Sequence, residues 1–471
     1  MTKIIQFIAA SFIAVVFMFP VLAQTKSAAF KLPPYEKFVL PNGLTIYLME
    51  QHEVPVINVT AIVPAGAIYD GDKSGLASLT AECLQHGTKN YTKQALEEEL
   101  DFIGASLSTY ASKESAGLAA RFVTKDQDKV FMIIKEVLLT PAFNAEEFDK
   151  EKKRTLVNLE QAKESPRQVI GGYWDKFIYG DHVYGNLVSG NTSTVSKLTR
   201  EDLLAVYKAN YMPNGSAIAV AGDFNSKAMK QKLTTLFSEW KKSNQPQQNL
   251  AVKTITYPIS TGVLLVNKED ARETTFYIGG KGVNRNNPDY VAIEVINTAF
   301  GGRFTSWLND KLRVNSGLTY GASSRFSSLK NAGTFLISTF TATKTTEPTI
   351  NGALDVLDSL HKYGIDDKTL ASAKNYVKGQ FPPRYETSGQ LANLLTQMFW
   401  YGFDDSFINN FQNNVDGLTA EKAKEIVAKY FPKDKLQFVL VGKSADIKKI
   451  AEKYGPVTEM QIKENSKPKA F

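Results

Sequence analysis

Residues 198–211 read Leu-Thr-Arg-Glu-Asp-Leu-Leu-Ala-Val-Tyr-Lys-Ala-Asn-Tyr, and a related phrase returns at 418–431 as Leu-Thr-Ala-Glu-Lys-Ala-Lys-Glu-Ile-Val-Ala-Lys-Tyr-Phe. Each is followed by an apolar stretch that ends in glycine, Ser216-Ala-Ile-Ala-Val-Ala-Gly222 and Leu436-Gln-Phe-Val-Leu-Val-Gly442, at a constant offset of 220 residues. Thr199 and Thr419 each stand ahead of an acidic residue and a helical pattern, which is how a helix start is written: the hydroxyl accepts from an otherwise orphaned backbone N–H. Solenoid repeats have periods of about 20–50 residues. A repeat of this length therefore means two homologous domains in tandem, each closing on a helix and a buried strand.

Working outward, each half reads as α+β with a mostly antiparallel sheet packed with helices. Lys37–Leu40 and Leu44–Leu48 flank Pro41-Asn42-Gly43, a hairpin signal. Val54 to Val63 alternates as a third strand, helical patterns follow near 75–85 and 93–103, and strands near 105–112 and 115–123. Helices resume near 126–138, 145–163 and 199–211, and the second half opens with strands at Gly262–Val266 and Thr274–Gly280. Strand-rich and helix-rich stretches segregate, which argues against a doubly wound parallel sheet. These patterns assign 35–240 to a first domain, the polar, proline-bearing stretch 241–256 to a linker, and 257–455 to a second domain. The tail after Gly455 is polar and reads as fraying.

The helix near 75–85 belongs to Gly75-Leu-Ala-Ser-Leu-Thr-Ala-Glu-Cys-Leu-Gln-His-Gly-Thr88. This stretch resembles the metal-binding helix of the pitrilysin/insulinase-type zinc metallopeptidases, Gly-Leu-Ala-His-x-x-Glu-His followed by apolar residues and Gly-Thr. The resemblance spans about residues 35–455 and implies a clamshell of two related domains around a central chamber. Two His at i and i+4 lie on one helix face and can grip a zinc ion whose bound water the Glu activates. Here those three positions are Ser78, Glu82 and Ala81, and the downstream Glu ligand falls on Asn158. A neutral hydroxyl is a poor zinc ligand, one carboxylate cannot hold the ion, and alanine takes no proton. Glu160, two residues on, lies on the other side of its helix. The expectation is a degenerate site that holds no metal. His86, beside Gly87, reads as a surface or helix-capping residue, and Cys83 as a small buried hydrophobe.

The second half contains Leu312-Arg313-Val-Asn-Ser-Gly317-Leu-Thr-Tyr320-Gly321 after the pair Gly301-Gly302. It is similar to the Leu-Arg…Gly-x-x-Tyr-Gly segment of the same family, where Arg and Tyr help hold the substrate opposite the zinc. An arginine fork and a phenolic hydroxyl suit that task. Taken singly, Arg313 reads equally as a surface ion pair and Tyr320 as a half-buried core aromatic. An intact Arg/Tyr segment beside a vacated zinc helix resembles the family's two-subunit members, such as the mitochondrial processing peptidase. The resemblance thus implies a non-catalytic subunit, with zinc in a homologous partner and an unfolded polypeptide or peptide as substrate. A catalytically inactive peptide-binding or scaffold protein, like the core proteins of the bc1 complex, is the alternative. An independent peptidase would need a metal site that the sequence does not offer.

The remaining composition sets the context. Lys3, the apolar run Ile4–Leu22 and Val21-Leu22-Ala23 have the layout of a secretory signal peptide over residues 1–23, which predicts a periplasmic or extracellular protein; an uncleaved anchor is the other reading. One cysteine among 471 residues excludes an intrachain disulfide. The net charge of +7 is spread among interspersed acids, and its short basic runs read as solvated helix faces, so no nucleic-acid partner is expected.

Overall fold

In the computed structural model, which describes residues 30–242 and 254–462, the chain forms two six-stranded mixed sheets packed with helices. The signal segment 1–23 and most of the linker, 243–253, lie outside the described residues. The first sheet contains β1 (Glu36–Val39), β2 (Thr45–Glu50), β3 (Val56–Val63), β4 (Ser106–Ala111), β5 (Ala116–Val123) and β6 (Ala217–Gly222), in the order β1-β2-β6-β3-β5-β4. The second contains β7 (Gly262–Asn267), β8 (Glu273–Lys281), β9 (Ala322–Ser328), β10 (Gly333–Ala342), β11 (Gln437–Gly442) and β12 (Val457–Gln461), in the order β12-β7-β11-β8-β10-β9. Strand for strand, every position but the β1/β12 edge matches.

The helices that shape the site and join the halves are α1 (Leu76–Cys83), α2 (Ala145–Ala162), α3 (Pro166–Tyr179), α4 (Arg200–Asn210), α5 (Thr346–Tyr363), α6 (Ser388–Tyr401) and α7 (Ala420–Tyr430). The repeat lands on α4–β6 and α7–β11 in register. Thr199 caps α4 by accepting from Asp202 N, Thr419 caps α7 by accepting from Lys422 N, and Tyr211 and Phe431 end the two helices as buried residues. In both sheets the repeated strand runs parallel to one neighbour, β2 or β7, and antiparallel to the other, β3 or β8.

The sheets differ at one edge. In the first, the outer position is taken by β1, the antiparallel hairpin partner of β2, turned at Gly43 with φ of +90°. In the second it is taken by β12 from the chain's end, running parallel to β7. The expectation that the chain frays after Gly455 is corrected here: Met460 and Ile462 are buried, and those side chains together with a ladder of backbone bonds hold the strand.

Each sheet is covered on one face by its own helices and on the other by a helix from the opposite half. α3, from the first half, crosses to lie on β8 and β11, and α6, from the second, lies on β3 and β6. Ile170, Trp174 and Ile178 of α3 share a core with Leu264, Val266, Val439 and Val441. Ala217, Ala219 and Ala221 of β6 present small side chains to the α6 side, while Ile218 and Val220 face the first domain's own helices. This reciprocal cover explains why β6 and β11 are buried along their whole length and read as continuous apolar runs. The two turns at the far ends of the sheets also meet. Glu114, between β4 and β5, is buried and accepts the backbone N–H of Lys330, between β9 and β10, at 3.0 Å, and the hydroxyl of Tyr184 at 2.5 Å.

Candidate functional site

α1 begins at Gly75, whose φ of +98° is open to glycine and costly for other residues. Gly75 has no side chain to cap the helix, so Asp70 does it from outside: its carboxylate accepts Gly75 N at 2.9 Å and Ala77 N at 2.8 Å. Asp70 is buried, and burial pushes its carboxyl up to about 7 in spite of these bonds. A group whose pKa is raised on folding contributes stability that is complete below its unfolded pKa, near 4, and lost as pH rises through about 7. Asp70→Asn is therefore expected to flatten the pH dependence of unfolding: relative to the variant, the native chain should lose stability between pH 4 and 8. Urea melts at pH 4.5, 6 and 8 check this, and parallel curves for the two proteins would contradict it.

On α1, Ser78 and Glu82 are half-buried one turn apart, and Ala81 is fully buried in the helix's packed face. α2 packs against α1. Its Asn158 is exposed, and Glu160 is engaged elsewhere, accepting Thr192 Oγ1 at 2.6 Å and Lys163 Nζ at 2.9 Å. Between the two helices lies a carboxylate cluster with its own cation. Arg154 Nη2 stands 2.6 Å from Glu151 Oε2, and Arg154 Nε 3.2 Å from Glu151 Oε1. Burial raises the Glu82 carboxyl, the Glu151 charge raises it further, and Arg154 opposes both.

His86 corrects the reading of a surface or capping residue. It is buried, its Nε2 lies 3.7 Å from Glu151, and burial holds its imidazole below the usual range. Cys83 is buried as expected, and burial pushes its thiol up to about 12, out of reach of thiolate chemistry.

The donor set does not fit a zinc ion. One half-buried carboxylate with a raised pKa, a hydroxyl and an exposed amide replace the expected ligands, and Glu151 is committed to a guanidinium. Among the described residues no group of three or more His, Cys, Asp or Glu could hold a metal ion. The Arg154–Glu151 pair was missed in the sequence, although its i, i+3 spacing on α2 is a readable signal.

The Arg/Tyr segment is built differently. Residues 298–302 and 310–315 are wide, π-helical turns. Gly301 is dictated by packing, since a Cβ there would come within 2.4 Å of Ser324 Oγ. Leu312 is fully buried against α5, where Gly352 makes room for it, and so anchors the neighbouring Arg313. After Gly317, the carbonyl of Leu318 accepts Thr341 Oγ1 at 2.7 Å, and beyond Tyr320 the carbonyl of Gly321 accepts Thr339 Oγ1 at 2.9 Å. The main chain is thus fixed on both sides while Tyr320 projects outward, 83% exposed. Arg313 is half-buried, and its guanidinium lies 4.5 Å from the centre of the Phe304 ring. Among the described residues it makes no ion pair. Neither alternative reading of the single residues applies: Arg313 is not in a surface ion pair and Tyr320 is not a core aromatic.

Known proteins match this geometry. A family profile described as "Insulinase (Peptidase family M16)" matches residues 45–190, and one described as "Peptidase M16 inactive domain" matches 197–377. An uncharacterized zinc protease of Rickettsia felis is 26% identical over 305 residues, covering 64% of this chain and 72% of that protein. Subunit 1 of the mitochondrial cytochrome b-c1 complex of Rattus norvegicus is 26% identical over 272 residues, 57% of this chain and 56% of the rat protein. A crystal structure of a peptidase M16 inactive domain from Pseudomonas fluorescens superposes with a TM-score of 0.82 at 23% identity, covering 87% of this chain and 98% of the other, a likeness of fold. With both halves matched in order and the duplicated sheets in place, the chain belongs to the insulinase family of peptidases, M16.

Proposed function

We propose that this chain is the non-catalytic subunit of an exported zinc metallopeptidase complex, in which it supplies Arg313 and Tyr320 to a peptide held at the zinc of a homologous partner. The observation that carries the reading is the contrast between the halves. Where the family's metal would be bound, the Arg154 guanidinium already pairs with the carboxylate of Glu151. In the other half an arginine and a tyrosine are held on a fixed backbone, with no side-chain hydrogen bond or ion pair among the described residues. Zinc belongs to the partner in this reading, and this chain needs none. The likeness to a b-c1 subunit favours a second reading, a peptide-binding or scaffold protein with no part in cleavage.

Mixing separates the two. The partner is an M16 chain with an intact His-x-x-Glu-His from the same genome, and both proteins are taken from the periplasmic fraction, where this chain is expected to begin at Gln24. The partner alone should cleave an unfolded polypeptide weakly, and adding this chain should restore activity. A partner fully active by itself would favour the scaffold reading, and a chain that retains Met1 would indicate a membrane anchor.

A further inference from the structure

Phe304 is 64% exposed, so its ring stands at the surface beside Arg313. Its ring carries the Arg313 guanidinium at 4.5 Å from the centroid. A cation over an aromatic face is attracted by the ring's quadrupole. The ring is not a hydrogen-bond partner, so this contact leaves the guanidinium N–H donors available to a ligand. Arg154 and Arg384 spend their forks on Glu151 and Glu294, whereas Arg313 has no carboxylate within ion-pairing distance among the described residues.

We propose that Phe304 is a positioning residue: its ring presets the Arg313 fork toward a carbonyl or carboxylate oxygen of a bound peptide. This rests on the reading that Arg313 holds peptide. Without the ring, the guanidinium must give up rotamer freedom on binding, and the affinity falls by that cost. Cation–π contacts at exposed sites are weak, so the loss should be about two- to fivefold.

The test uses the full chain and a fluorescein-labelled, reduced and carboxymethylated polypeptide, with affinity read by fluorescence anisotropy. Phe304→Leu should weaken binding about two- to fivefold, and Phe304→Tyr or Phe304→Trp should restore it. All three should melt at the native temperature, because the side chain is largely in solvent. If Arg313→Ala weakens binding but Phe304→Leu does not, or if the aromatic variants fail to rescue, the positioning role is overturned and the peptide-holding reading stands. No binding by the native chain, alone or mixed with the partner, or binding unchanged in Arg313→Ala, would overturn that reading itself.

Discussion

Trp174→Ala is expected to lower the free energy of unfolding by about 3–5 kcal/mol, the usual cost of emptying a large buried aromatic site. Trp174 sits on α3 yet is buried against the other half's sheet, edge-on to Tyr277 with ring centres 6.0 Å apart. The indole Nε1 is buried with no acceptor among the described residues, so Trp174→Phe removes volume but also an unsatisfied donor, and should cost far less. Denaturant melts of the three proteins check the order. A loss under about 1 kcal/mol for Trp174→Ala would mean that α3 does not hold the halves together as its burial implies.

In the reconstituted complex, Arg313→Ala and Tyr320→Phe are each expected to lower the peptidase rate by about a hundredfold, the typical cost of removing one preorganised donor to a developing oxyanion. Assembly should be unaffected, since Leu312 and the bonds to Thr339 and Thr341 hold the segment without either side chain. Rates and co-elution measured on the same preparations separate the two effects. Normal rates in both variants would remove this segment from the chemistry and leave the scaffold reading.

Much of this architecture was legible because it is written in local signals. Thr199 and Thr419 cap their helices as their sequence context requires, and Pro41-Asn42-Gly43 turns the first hairpin. α3 was not legible. Pro166 and Gly171-Gly172 look like breaks, but Pro166 occupies the first helical turn, where its missing N–H costs nothing, and packing on a distant sheet outweighs the glycines. β12 was hidden because its polar residues stand on an edge and only Met460 and Ile462 are buried near its end. At the site, the vacated positions could be read one by one from the zinc motif. The groups that fill them could not, because the burial of His86 and the Arg154–Glu151 pair depend on how α1 and α2 pack.

The central claim, that this M16 chain carries no working metal centre, is tested most directly by measuring its zinc content after purification in metal-replete buffer, beside a protease assay with and without chelator. The account predicts well under one zinc per chain and no chelator-sensitive cleavage of unfolded polypeptide. One tightly held zinc per chain together with chelator-sensitive proteolysis would contradict it.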